Sequence, residues 1–123
     1  MTSASREPVS FITLERRDDL IVAYAIAMDE PGEIASLILQ RTPKYEFLLP
    51  PEEKGVTVSH ELFAESDREM LRRIVVDGLH VEIQTTVRTY LLDLSAVDPE
   101  ECADAREVLR QMHRFSGFEL ALR

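Results

Sequence analysis

The chain has 123 residues, of which 45% are hydrophobic and 30% charged, the length and composition of one domain with a packed core. This composition excludes a disordered tail and a repeat array. The 23 acidic and 14 basic residues give a net charge of −9, which repels a nucleic-acid backbone. We therefore predict a single domain over residues 1–123 that has no nucleic-acid partner, and a basic protein is the favoured partner class.

Apolar segments and cysteine content indicate the compartment. The longest apolar run, residues 20–28, is far shorter than the roughly 20 residues that a membrane-spanning helix needs. Residues 1–8 contain no apolar signal segment, and the lone Cys102 cannot form an internal disulfide. The sequence predicts a cytoplasmic protein that does not associate with membranes, with Cys102 packed on the inner side of a helix.

The first half of the chain is predicted to form strands joined by turns. Charged residues 16–19 separate two apolar runs, which is the pattern of a hairpin. Pro31 and Gly32 then occupy the central positions of a type II turn. The predicted strands are residues 9–15, 20–28, 34–40, 45–49 and 56–60.

The second strand has one bulky face and one small face. Successive side chains of a strand point to opposite faces, so bulky residues lie on one face and mostly alanines on the other. The alanine-rich face allows the close approach of another element. We expect a helix to cover this alanine side. The bulky set is Val22, Tyr24, Ile26 and Met28, and the small set is Ile21, Ala23, Ala25 and Ala27.

The region after residue 65 is predicted to contain a short helix and a hairpin. Residues 66–69 have the spacing of a capping box, which predicts a helix of about two turns near residues 67–74. Asp77 and Gly78 then form a hairpin turn signal, and strands are expected on both sides of them. A further strand is predicted over residues 86–94, and Asp93, near its end, is interpreted as a strand-end or salt-bridge residue.

A long helix is the clearest element of the sequence. Asp98 and Pro99 match the N-cap and the first helical position, and apolar residues then recur at helical spacing up to Phe115. The expected fold is α+β: an antiparallel, largely meander sheet of about six or seven strands, with this C-terminal helix packed on one face and the short helix near residues 67–74.

Motifs for enzymatic chemistry are not found. The four glycines are too scattered for a phosphate-binding loop, and the three histidines lack the spacing of a zinc site. The serines occupy no recognised nucleophile turn. We predict no catalytic residue, metal or cofactor, and favour a non-enzymatic function.

Two groups of polar residues are candidate binding sites. His80, Glu82 and Gln84 share one strand face and are the candidate ligand-binding residues, although a solvated strand face gives the same pattern. Carboxylates at predicted turns form an acidic docking patch if those turns meet at one end of the sheet; the alternative is that they are solvated turns. The candidate partner-binding residues are Asp18, Asp19, Asp29, Glu30, Glu33, Glu52 and Glu53.

Three functions follow from these patterns. The favoured hypothesis is a non-catalytic acidic binding protein, such as an immunity- or inhibitor-type partner of a basic protein. The second is a small-molecule-binding domain or small enzyme that uses the polar strand face. The third is a self-associating structural module, a homodimer paired through an exposed edge strand.

Overall fold

The computed structural model describes residues 6–51, 54–62, 69–115 and 117–123. Within these residues, eight strands form one sheet, accompanied by one long helix and one short 3₁₀ helix. The strands are β1 Glu7–Arg16, β2 Leu20–Ala27, β3 Ile34–Arg41, β4 Thr57–His60, β5 Leu71–Asp77, β6 His80–Thr85, β7 Thr89–Asp93 and β8 Glu119–Leu122. The long helix, α1, is Pro99–His113, and the 3₁₀ helix is Pro43–Leu48.

The sheet has the strand order β4-β3-β2-β1-β7-β6-β5-β8. Its pairs are antiparallel except for β1 with β7 and β5 with β8. Thr57 of β4 also bridges Met70, directly before β5, so the two ends of the sheet approach each other. The sheet therefore curves round a single apolar core, as in a partly closed barrel.

Helix α1 fills the gap that the sheet leaves beside β1. Only Glu7 and Pro8 of β1 pair with β7, so most of this strand has no backbone partner on that side. The side chain of Glu101 accepts a hydrogen bond of 2.8 Å from the Ile12 N–H, and α1 contacts β1, β2 and β8. The helix thus covers a strand edge and supplies an acceptor for its backbone.

The core face of the sheet is its bulky face. Strand register places Ile12 and Leu37 on the same side as Tyr24, and the apolar stripe of α1 belongs to the same buried cluster. The expectation that the helix covers the alanine side of β2 is therefore wrong. Packing α1 against the larger side chains buries more apolar surface, which favours this arrangement. The stripe consists of Ala105, Val108, Leu109 and Met112.

The predicted fold class is confirmed: the protein is α+β, with a mostly antiparallel sheet and one long helix. The sheet has eight strands, slightly more than the six or seven expected. Asp98 caps α1 by accepting the Glu100 N–H at 2.8 Å, and Pro99 lies at the start of the helix as predicted. Gly32 has the positive φ of 84° that a type II turn requires at that position.

Two local predictions are wrong. Residues 45–49 do not form a strand, because Pro43 removes a ladder donor and suits the first turn of the 3₁₀ helix Pro43–Leu48. The short helix predicted near residues 67–74 is absent from residues 69–74, since β5 begins at Leu71 and the Leu71 N–H bonds to the Val56 carbonyl. Pairing with neighbouring strands outweighs the local helix signal there, and residues 67 and 68 lie outside the described part of the chain.

The contact between Glu101 and Ile12 predicts a measurable contribution to stability. Glu101→Ala leaves a half-buried N–H without its acceptor and is expected to lower the free energy of unfolding by about 1–3 kcal/mol. Urea unfolding measures the loss. Glu100→Ala is the matched control, because it removes an exposed carboxylate from the same helical turn and is expected to cost less than about 0.5 kcal/mol. Equal losses for both variants would contradict this role.

Candidate protein-interaction surface

A buried arginine lies where β3 ends. Arg41 is 3% exposed, and its guanidinium donates to both carboxylate oxygens of Glu46 at 2.6 and 3.0 Å. It also donates to the Met112 and Phe115 carbonyls, each at 2.9 Å. A buried guanidinium is tolerated only with such partners, and the forked geometry of arginine allows it to serve all of them.

Arg41 joins the 3₁₀ helix to the end of α1. Glu46 belongs to the 3₁₀ helix, whereas the two carbonyls belong to the last turn of α1 and the residues just after it. Thr42 adds a second connection, because its hydroxyl donates to Asp19 in the β1–β2 turn at 2.7 Å. The 3₁₀ helix is thus held on two sides, although none of its own residues is buried.

Three large apolar side chains of this 3₁₀ helix face solvent. Phe47 is 75% exposed, Leu48 68% and Tyr45 52%. We call these three residues the apolar ridge. Isolated exposed apolar residues are ordinary, but three within four positions of one fixed segment form a contiguous surface of the kind that marks an interaction site.

A hollow of about 340 Å³ adjoins the apolar ridge. Three cationic side chains line it, together with three apolar residues, the amide of Gln111 and the carboxylate of Asp18. We call it the basic hollow. The cations are Arg17, Lys44 and Arg114, and the apolar residues are Leu20, Pro43 and Phe115.

A second buried polar cluster lies at the end of β4. His60 is 6% exposed and stacks on the Tyr90 ring, with 5.8 Å between centroids and 9° between planes. The Tyr90 hydroxyl donates to Glu69, with 2.9 Å to the nearer oxygen. Burial lowers the pKa of His60 below its ordinary 6.5, although the nearby Glu7 carboxylate acts in the opposite direction. The imidazole is thus favoured in its neutral form.

A cavity of about 370 Å³ opens beside His60. Its walls include Ile26 and Met28 at the end of β2, and the carboxylates of Glu7 and Asp29 also line it. This volume falls within the range of small-molecule sites. Neutral His60 accepts the Leu62 N–H on Nδ1 at 3.1 Å, which places its own proton on Nε2.

The predicted ligand-binding residues lie on β6, on the face of the sheet away from the core. His80 is exposed, and Glu82 accepts a hydrogen bond of 2.9 Å from the Gln84 amide. His80 and Glu82 line a hollow of about 190 Å³, whose lining does not include Gln84. That volume is below the roughly 300 Å³ of typical ligand sites. Ligand binding at these residues stays a prediction.

The predicted acidic patch is divided between two ends of the molecule. Asp18 and Asp19 lie in the β1–β2 turn, near the 3₁₀ helix, where Asp18 is 4.0 Å from the Lys44 ammonium. The other turn carboxylates lie beyond the opposite end of β2, about 25 Å away at the rise of an extended strand. They are Asp29, Glu30 and Glu33. Glu52 and Glu53 lie outside the described residues, and partner binding by the whole set stays a prediction.

The contacts of Asp93 and Cys102 indicate structural roles for both residues. Asp93 ends β7 as predicted and accepts from both the N–H and the hydroxyl of Ser95, which lowers the pKa of Asp93. Cys102 packs against the core, and burial raises the pKa of its thiol. A raised pKa reduces the thiolate fraction and hence the reactivity of the cysteine.

The residues of this surface were missed in the sequence for a definable reason. Arg41 lies in phase with Leu37 and Leu39 on the core face of β3, so its burial follows from the strand's alternation. Its partner Glu46 and the apolar ridge fall in a segment whose alternating pattern predicts a strand. Pro43 was the signal for the 3₁₀ helix, since proline favours the first helical positions.

Comparison with known proteins assigns no function. No family model matches the sequence, and neither a curated protein nor a solved structure matches it significantly. Among the described residues, no three His, Cys, Asp or Glu side chains are grouped so that they could hold a metal ion. In that same part of the chain, no helix is both long and apolar enough to span a membrane.

The depressed pKa of His60 predicts a specific dependence of stability on pH. Because the unfolded imidazole binds a proton more readily than the folded one, the free energy of unfolding is expected to fall as the pH drops below 6.5. Urea unfolding as a function of pH measures the slope. His60→Gln should reduce this slope. Equal slopes for wild type and His60→Gln would contradict the assignment.

Proposed function

We propose that this protein is a non-catalytic interaction module that binds a partner protein through the apolar ridge. The observation that carries the proposal is the outward orientation of all three ridge residues on a segment that buries nothing in the core. Aromatic residues are enriched among those that dominate binding energy at protein interfaces. The ridge therefore supplies anchors for a partner.

The attachment of the ridge favours binding. The bonds from Arg41 to Glu46 fix the 3₁₀ helix in the free protein, so little conformational entropy remains to be lost on association. An apolar segment that serves only folding is expected to turn inward, where its burial is favourable. Here the buried salt bridge holds the apolar side chains outward instead.

The net charge of −9 supports a partner of opposite net charge. Long-range attraction accelerates the encounter of oppositely charged proteins, while the apolar contact limits dissociation. Asp18 and Asp19 lie beside the ridge and can contribute at its rim. An immunity- or inhibitor-type complex with a basic protein is the form of this function that we favour.

A second candidate function is small-molecule binding in the cavity beside His60. The observation that favours it is a volume of about 370 Å³ next to a nearly fully buried imidazole. Self-association is the third, and the ridge is a better surface for it than the sheet edges. The outermost strands, β4 and β8, have only four residues each, and β4 already bridges Met70.

Site-specific photo-crosslinking tests the proposed function. A photoreactive amino acid at position 47 is expected to capture one partner in extracts of the cells that express the protein, and the same group at position 79 is the control. Leu79 is also an exposed apolar residue, but it lies in the β5–β6 turn. Capture of the same proteins from both positions would contradict a specific ridge contact, and capture of a second copy would favour self-association.

Calorimetry with the purified partner then measures the contribution of the ridge. Phe47→Ser/Leu48→Ser is expected to weaken binding at least about tenfold, because interface anchors commonly contribute more than 1 kcal/mol each. Leu79→Ser/Val87→Ser removes two exposed apolar residues elsewhere and should leave the Kd within about twofold of wild type. Unchanged binding by the ridge variant would refute the proposal.

A further inference from the structure

The basic hollow carries a local positive charge, whereas the net charge of the protein is negative. Acidic residues outnumber basic ones by 23 to 14 in the chain, yet three cationic side chains and one carboxylate line this hollow. Its apolar lining is provided by Leu20, Pro43 and Phe115. The local charge is therefore opposite in sign to the net charge.

Two of these cations make no ion pair with the described part of the chain. Neither Arg17 nor Arg114 forms a salt bridge or a side-chain hydrogen bond with the residues that the structure describes. The third cation, Lys44, pairs with Asp18 at 4.0 Å, and both side chains are mostly exposed. Such a pair contributes little, so the cations remain able to bind an external anion.

The side chain of Arg114 donates to none of the described carbonyls at the end of α1. A cation at this position often serves to satisfy the last carbonyls of a helix. Here the Met112 and Phe115 carbonyls already accept from Arg41, at 2.9 Å each. Arg114 instead lines the hollow, together with Arg17 from the β1–β2 turn.

The basic hollow and the apolar ridge adjoin at Lys44. Lys44 lies directly before Tyr45, and its ammonium is 5.5 Å from the centre of the Tyr45 ring. Phe115 lines the hollow and is stacked at 5.4 Å by the Arg41 guanidinium that also holds the 3₁₀ helix. A partner that covers the ridge therefore lies next to Lys44, one of the three cations of the hollow.

We infer that the segment of the partner that covers the ridge carries an acidic side chain, Asp or Glu, which enters the basic hollow and pairs with Arg17 and Arg114. Arginine suits this role because its planar guanidinium binds carboxylates bidentately, and partial burial by the partner strengthens the pair. The inference concerns the contact residue and not the net charge of the partner. It rests on the proposed function and specifies the chemistry that the surface recognises.

Selection from a phage-displayed library of random peptides tests the inference. Peptides selected on the wild-type protein are expected to combine an aromatic or aliphatic residue with a nearby Asp or Glu. Arg17→Gln/Arg114→Gln should weaken the selected peptides about tenfold, with a reduced dependence of the Kd on salt. Arg72→Gln/Arg73→Gln removes the same charge from β5 and should leave their affinity within about twofold.

The outcomes separate the inference from the proposed function. One outcome would overturn the acidic contact in the basic hollow alone. In it, the peptides lose affinity for Phe47→Ser/Leu48→Ser, bind Arg17→Gln/Arg114→Gln like wild type and contain no excess of acidic residues. Peptides that tolerate both double substitutions would overturn the ridge and the hollow together. We expect both double variants to lose affinity for the peptides. We also expect that replacing the peptide's Asp or Glu by its amide has the same effect as Arg17→Gln/Arg114→Gln.

Discussion

The buried guanidinium of Arg41 joins three segments that are distant in the chain: the end of β3, the 3₁₀ helix Pro43–Leu48 and the C-terminal end of α1. A charge that is 3% exposed is tolerated because two carboxylate oxygens and two carbonyls accept from it. The positions of the apolar ridge and of the basic hollow both depend on this cluster.

The cluster also explains how an apolar segment remains on the surface. A segment with Tyr45, Phe47 and Leu48 gains free energy by turning into the core, and no residue of this 3₁₀ helix does so. Breaking the pair between Arg41 and Glu46 would leave an uncompensated buried charge, which typically costs several kcal/mol. Fold stability thus opposes the inward movement of the ridge, which keeps it available to a partner.

The elements that could be predicted from sequence are those with a local cause. The cap at Asp98, the proline after it and the stripe of α1 predict that helix, and Pro31 with Gly32 predicts the β2–β3 turn. The covering of β1 by Glu101 depends on a contact between distant residues, and so does the start of β5, where the Leu71 N–H bonds to the Val56 carbonyl. Local patterns did not reveal either of them. The interaction surface depends on such contacts too, because Arg41 meets the end of α1 some 70 residues further along the chain.

Hydrogen exchange at the Tyr45 and Leu49 amides tests most directly whether the ridge is held in place before any partner binds. These N–H groups donate to the Thr42 and Glu46 carbonyls within the 3₁₀ helix. We predict that both amides exchange more slowly than in an unfolded chain, and that Glu46→Gln accelerates their exchange while the amides of β5 and β6 keep their protection. Exchange at the unfolded-chain rate in the wild-type protein would contradict a preformed ridge.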